Sequence, residues 1–405
     1  MNDCRPLLIK VDERLNGWGS LQLSYAARLQ LLKSVTSALN IYWAMAFILP
    51  KGILKVIEAR MRKFLWQGAS GAGMTRVAWS DVCRPLEEGG QGLRRLQPLN
   101  QALMSRHFWD VVRCNVSSVW VNWIIRHYLK HSSIWTTRNT IGSWSWRKIL
   151  KLRVQLLGHI QYRVSTGDRF MVWHDAWHPL GPLIHRFPRG RMTVGIPLEA
   201  KLHVTINEDG WNWPLITGIE HMEITEMLPP LAQTEAVTWP SSSGDFSIAD
   251  AYRLFQPPGP RVDWYVLLLG PFRIPRNCFI LWLAILSRLT MMDRTWWPGV
   301  DRACILCTSG ETETHDHLFF HCAFSRSCLW ILHSKVRFQV PSFGWQRMIT
   351  WASRRGEVDT RGMPLHGLYL LPWCIIFGWS ATEGVLVMNG PLRKARLNFA
   401  WTRYD

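Results

Sequence analysis

Acidic residues are scarce in this chain of 405 residues: 29 Asp and Glu stand against 47 Lys and Arg, a formal net charge of +18. A surface so short of acids favours polyanions, with nucleic acid first among them. Long apolar runs are also missing. Residues 278–286 are too few to span a bilayer, and the stretch 367–388 is interrupted by Pro372 and Glu383, so no membrane partner is expected. The opening MNDCRPLLIKVDERLNGW carries charges where a signal peptide needs an apolar stretch. Nine cysteines, an odd number with three in one short motif, do not make a secreted disulfide scaffold. The expected location is intracellular, nuclear or cytoplasmic. The glycines at 89, 90 and 92 lack the spacing of a phosphate-binding loop and no Lys follows them; they read as a structural turn. No small-molecule substrate is expected.

The length allows two or three domains with sizeable cores. Arg outnumbers Lys, which fits bidentate contact with phosphates and base edges, although a GC-rich gene would give the same bias without any function. The 25 Trp are an unusual load; most read as core residues, and a few are candidates for stacking bases.

The most informative stretch is CILCTSGETETHDHLFFHCAFSRSCLW, with Cys304-x2-Cys307-x9-His317-x4-Cys322 at its heart. A C-x2-C pair at a turn presents two thiolates on one side of a tight loop. A following His and Cys can close a tetrahedral set of three sulfurs and one nitrogen, which suits a structural Zn2+. The five-residue step from His317 to Cys322 overshoots one α-helical turn, so a bend or helix end is expected between them. The alternative is three scattered thiols and a surface histidine; His315 and His321 flank the motif and are the nearest substitutes for His317.

Taken in order, residues 14–66 read as helices. Ser24 can cap a segment with Tyr25, Leu29, Leu32, Val35 and Leu39 on one stripe. Pro50 opens a second, whose apolar face is Leu54, Ile57, Met61, Phe64 and Leu65. Lys51, Lys55 and Arg62 lie beside that face and Arg60 and Lys63 further round, so the helix offers a basic side to a phosphate backbone, or else an ordinary solvated face. A helix from about Leu99 to Val112 follows the glycine turn. Residues 115–157 are Trp-rich and basic and read as two more helices, SWSWRKILKLR opening the second. Alternation around Gly167 and Asp168 suggests a β-hairpin. His174, Asp175 and His178 sit together in sequence, with Asp175 read as a turn or capping group. Ser247 is placed to cap a helix from about Ile248, and residues 278–289 read as a buried helix.

The blocks FSIADAYRLF, IPRNCFILWLAILSRL, MDRTWW, CILC and ETHDHLFFHC, in this order over roughly residues 244–332, resemble the zinc-binding domain of plant LINE-type (non-LTR retrotransposon) reverse transcriptases. The resemblance extends upstream: LNGWGSLQLSYAARLQLLKSVTSALNIYWAMAFILPKGILKVIEARMRKFLWQG is similar to the thumb-like helices that hold template and primer. Trp173, Asp175 and Trp177 match a W-x-D-x-W element of the family. Ala27, Gln91 and Leu269 depart from the family's usual Gly, aliphatic residue and Trp. The implied architecture is α+β and mainly helical. It comprises a thumb-like region over 1–113, a Trp-rich connector with short β-hairpins over 114–235, the zinc-binding domain over 236–335 and a diverged tail over 336–405.

Reverse transcriptases hold two Mg2+ ions with paired carboxylates, one pair being adjacent Asp-Asp after an aromatic residue. No adjacent Asp-Asp occurs in this sequence, and the thumb-like block begins close to its first residue, so the resemblance leaves no room for fingers and palm. The expectation is a catalytically incomplete reverse-transcriptase fragment that binds zinc and RNA or DNA, with no catalytic residue. The alternative is a zinc-stabilised protein–protein interaction module without nucleic-acid binding.

Overall fold

The computed structural model describes residues 4–19, 23–67, 74–188, 194–214, 219–256, 258–269, 274–289, 291, 293, 301–304, 306–307, 309–327, 330 and 344–354, with the main chain alone at 19, 35–42 and 219–221. These residues are mainly helical. The helices are α1 (Arg5–Gly19), α2 (Tyr25–Ala46), α3 (Lys51–Gln67), α4 (Trp79–Val82), α5 (Leu96–Val112), α6 (Val119–Tyr128), α7 (Trp144–Leu150), α8 (Arg153–Leu156), α9 (Leu183–Arg186), α10 (Ile219–Glu226), α11 (Ile248–Phe255), α12 (Pro275–Ile285) and α13 (Trp345–Arg354). Four short strands pair antiparallel: β1 (Gln161–Arg163) with β4 (Ala236–Thr238), and β2 (Ile206–Asn207) with β3 (Gly210–Trp211). No described helix is long and apolar enough to cross a membrane.

The early helices follow their sequence signals. Ser24 Oγ accepts the Ala27 amide at 3.3 Å, satisfying one of the donors that a helix start leaves unpaired. Leu29 and Leu32 of the expected stripe are buried; the side chains of Val35 and Leu39 lie outside the described residues. Along α3 all five expected apolar positions are buried, joined by Ile53 and Trp66.

The chain divides into two compact units. The first comprises Met1–Arg14, Ser34–Arg60 and Arg94–Pro258. Within it, Glu58 Oε1 accepts the Leu96 amide at 2.9 Å, placing a carboxylate at the positive end of α5. Buried Asn100 accepts the Leu49 amide at 2.7 Å and donates to the Ala44 and Phe47 carbonyls at 2.9 and 2.8 Å, so one side chain satisfies the backbone leaving α2. Ser118, Ser143 and Ser247 cap α6, α7 and α11. One core gathers Phe108, Trp109, Trp135, Trp146 and Trp239; a neighbouring one gathers Trp173, Trp177, Leu202 and Trp213.

The hairpin expected around Gly167 and Asp168 does not form. β1 pairs instead with β4, Tyr162 facing Val237. Gly167 turns the chain with φ +78° against residues 202–203, where a Cβ would lie 2.5 Å from the His203 amide nitrogen. Beyond the turn, the backbone bonds to that segment: the Leu202 amide donates to the Phe170 carbonyl and the Val172 amide to the Ala200 carbonyl. The two-residue hairpin of this region is β2–β3.

The second unit comprises Leu15–Lys33, Met61–Leu93 and Gly259–Asp405. Its glycine turn is tightly bonded. The Gly90 amide donates to the Pro85 carbonyl at 2.9 Å and the Gly92 amide to the Arg84 carbonyl at 2.8 Å. A Cβ at Gly90 would sit 2.1 Å from the Arg84 carbonyl oxygen, so backbone approach demands glycine there. The Gly89 carbonyl accepts the indole N–H of Trp282, whose helix α12 buries Phe279 through Ala284. Tyr25, Trp66, Phe279 and Trp282 form a continuous ring cluster with centroid separations of 5.3–6.2 Å.

Candidate metal centre

The knuckle begins as two short antiparallel arms. Ala303 bridges Thr312, the Cys304 amide donates to the Glu311 carbonyl at 2.8 Å, and the Glu313 amide donates to the Arg302 carbonyl at 2.9 Å. The turn between the arms carries Cys307, and Gly310 adopts φ +71° as the chain returns. Thr314 Oγ1 then accepts the His317 amide at 3.1 Å. His317–His321 is a single π-helical turn, closed by the Cys322 amide donating to the His317 carbonyl at 2.7 Å. A five-residue step that overshoots an α-turn fits one π-turn, and the helix ends where Cys322 becomes extended (φ −60°, ψ 127°). Buried Leu318 and Phe319 hold this turn, and the Trp345 ring of α13 packs on Phe319 at 4.5 Å.

These elements bring Cys304, Cys307, His317 and Cys322 together, with all four ligand atoms within 4.8 Å of one another. Cys304 Sγ lies 3.9 Å from Cys322 Sγ, and Cys307 Sγ lies 3.3 Å from His317 Nε2. A tetrahedral zinc with Zn–S near 2.3 Å separates its sulfurs by about 3.8 Å, so this donor set has the size and chemistry for that ion. His315 packs tilted on Phe319 at 4.6 Å and edge-on to Trp345 at 4.7 Å, and His321 is exposed; neither joins the four.

The environment divides the thiols. Burial pushes the Cys304 thiol up to about 12, against the lowering effect of the Leu306 and Cys307 amides. Burial also raises Cys307, but its hydrogen bonds, those from the Ser309 hydroxyl and amide foremost, outweigh it and bring that thiol down to about 6. A cation would thus meet one thiol poised to ionise and another whose proton it must displace. His317 Nδ1 donates to Glu311 Oε2 at 2.6 Å, leaving Nε2 as the lone-pair donor toward the sulfurs. Nothing in the residue pattern singles out Glu311. Its contact depends on the arm pairing that carries its carboxylate to the Nδ1 edge of the ring.

On α3, Lys51, Lys55, Arg62 and Lys63 are exposed. Arg60 is engaged by α1: its Nη1 lies 2.7 Å from Asp12 Oδ2 and donates to the Leu8 carbonyl at 3.1 Å. Asp175 accepts the Ser133 hydroxyl at 2.5 Å and the Met171 amide at 2.8 Å, a turn-fixing group, and burial raises its pKa. His174 bonds Thr136, and His178 bonds the Ile224 carbonyl.

Residues 246–330 match the family described as zinc-binding in reverse transcriptase. Over 421 aligned residues the chain is 29% identical to an Arabidopsis thaliana protein provisionally named a ribonuclease H protein, covering 97% of this chain and 66% of that relative. It is also 29% identical over 153 residues to an uncharacterized mitochondrial protein of Arabidopsis thaliana, covering 36% of this chain and 99% of the relative. The chain thus spans just under two thirds of the first relative's length. With the four donors converging inside the matched segment, residues 246–330 form a zinc-binding region related to that of plant retrotransposon reverse transcriptases.

Proposed function

We propose that this chain is a zinc-bearing, nucleic-acid-associated part of a retrotransposon reverse transcriptase that does not polymerise DNA by itself. The convergence of Cys304, Cys307, His317 and Cys322 carries the reading. Three thiolates and one imidazole complete a tetrahedron without a position for water, so the ion supports structure and not hydrolysis. Nucleic-acid binding is supported by the +18 charge and by the exposed cations of α3, whose single acid, Glu58, is engaged at the start of α5. The names of the family and of the first relative point to proteins that act on nucleic acid. The lack of an adjacent Asp-Asp pair supports the absence of polymerase chemistry.

The test is a salt titration of RNA and DNA binding by the purified chain and by a Lys51→Ala, Lys55→Ala, Arg62→Ala variant. Each phosphate no longer neutralised should reduce the slope of log K against log salt by about 0.7–0.9. An unchanged slope would remove α3 from the binding surface. A folded, zinc-loaded parent that binds neither polymer would overturn the nucleic-acid reading in favour of a protein-interaction module. Primer extension with Mg2+ or Mn2+ should give no product; template-dependent incorporation that copurifies with the chain would contradict the proposal.

A further inference from the structure

Between Asp110 and Asp168 the sequence contains no acidic residue, while Arg and Lys recur throughout. This acid-free stretch forms α6, α7 and the loop joining them, and it leaves indole rings in solvent: Trp120 is 37% exposed, Trp123 46% and Trp144 43%. The rings are not loose side chains. Buried Trp146 anchors Trp120, meeting it edge-on at 6.2 Å, and stacks with Tyr128 at 5.9 Å. Trp123 meets Tyr128 edge-on at 5.2 Å and has His127 stacked at 4.9 Å. Lys148 Nζ sits 5.4 Å from the centroid of Trp144. Arg126, Arg147 and Lys151 are exposed beside these rings and make no ion pair with any described residue. Val121 and Ile124 of α6 face inward, so the helix has already buried its apolar side in its own core.

We infer that this face of α6 and α7 is a binding surface for single-stranded nucleic acid, with Trp123 and Trp144 stacking unpaired bases and the neighbouring cations tracking the phosphates. The inference rests on the proposed nucleic-acid association and names a surface separate from the basic side of α3. Rigidly held, half-exposed indoles interleaved with unpaired cations match the needs of a strand whose bases are free; in a duplex the base faces are already stacked. A membrane-surface helix would instead segregate its aromatics onto one apolar side and its cations onto the other. Here Trp120, Trp123 and Arg126, spaced three residues apart, share one exposed side.

The experiment uses the full, zinc-loaded chain and labelled mixed-sequence oligonucleotides of about 16 nucleotides, a length set by typical single-strand site sizes. They are supplied as single-stranded DNA, single-stranded RNA and blunt duplex, alongside phosphatidylserine vesicles. The parent should prefer single strands to the duplex. Trp123→Ala with Trp144→Ala should weaken single-strand binding about tenfold or more while leaving the salt slope unchanged, and the paired Trp→Phe variant should recover most of the affinity. Arg126→Ala, Arg147→Ala, Lys151→Ala should lower the slope by about 0.7 for each phosphate no longer neutralised. All these positions are exposed or half-exposed, and unchanged melting and zinc content would establish that each variant is folded. Equal binding of single strand and duplex overturns the inference, as does parental affinity in both the Trp and the cation variants; in either case the broader nucleic-acid reading survives. A parent that binds vesicles but no oligonucleotide overturns both.

Discussion

The Trp-rich core of the first unit and the cysteine knuckle of the second depend on different forces. The first unit gathers Phe108, Trp109, Trp135, Trp146 and Trp239 from segments more than a hundred residues apart, and their burial supplies the stabilising term directly. The knuckle draws its four donors from within 19 residues, 304 to 322, and much of its buried content is polar: Cys304 and Cys322 sulfurs, the His317 imidazole and Glu313. Packed thiols and an imidazole offer little apolar area, and without a cation any thiolates formed there repel one another. The Trp-rich core should therefore answer to cavities and the knuckle to ion occupancy.

The largest expected effect tests that division on the knuckle side. Cys304→Ala with Cys322→Ala should abolish zinc retention, since apparent binding energies of structural zinc reach about 10–16 kcal/mol. Near-ultraviolet signals from the Trp-rich unit should survive; their disappearance would show that the two halves are not independent in this respect. Next comes Trp239→Ala. Trp239 is buried against Trp109, His159 and Phe246, with centroids 5.9, 4.9 and 4.9 Å away, and its truncation should cost about 3–5 kcal/mol in denaturant unfolding. Zinc content should stay at the parental level.

A smaller effect is expected at Asp175. Asp175→Ala strands the Ser133 hydroxyl and Met171 amide and should cost about 1–3 kcal/mol. The pH dependence has a defined sign. Burial raises the folded pKa of Asp175, so in the window between its unfolded and folded values the native state holds more protons than the unfolded chain. Stability contributed at this site therefore falls as pH rises through that window, and Asp175→Asn should flatten the fall. A parent-like slope in the Asn variant would assign the dependence elsewhere. The smallest effect belongs to Glu311→Gln, which keeps the shape but removes the charge that orients His317. Because Glu311 is largely exposed, zinc affinity by chelator competition should drop only about tenfold. Unchanged affinity would leave the Glu311–His317 bond without a role in metal binding.

The same contrast explains what was legible in the sequence. The four donors could be picked out because the knuckle is local, and the break between His317 and Cys322 was visible as a spacing no α-turn accommodates; the π-turn is its structural form. Helix starts at Ser24 and Ser247 and the buried face of α3 were readable because caps and 3.6-residue periodicity act within a few residues. The β1–β4 pairing was not, since Gln161 and Thr238 meet across 77 positions while a nearby glycine turn advertised a local hairpin. The partnership of Arg60 with Asp12 and Leu8 was hidden for the same reason, as it requires α1 to lie alongside α3. Glu311, Glu313 and Asp316 all lie within the knuckle, and only the arm pairing brings the first of them to His317.

Metal content bears on all of this at once: the purified full chain would be dialysed exhaustively against metal-free buffer and its zinc measured by elemental analysis. One zinc per chain is expected, absent from the Cys304→Ala, Cys322→Ala variant. Well under one zinc in the folded parent, or full retention of zinc in that variant, would contradict the structural role given to the four donors.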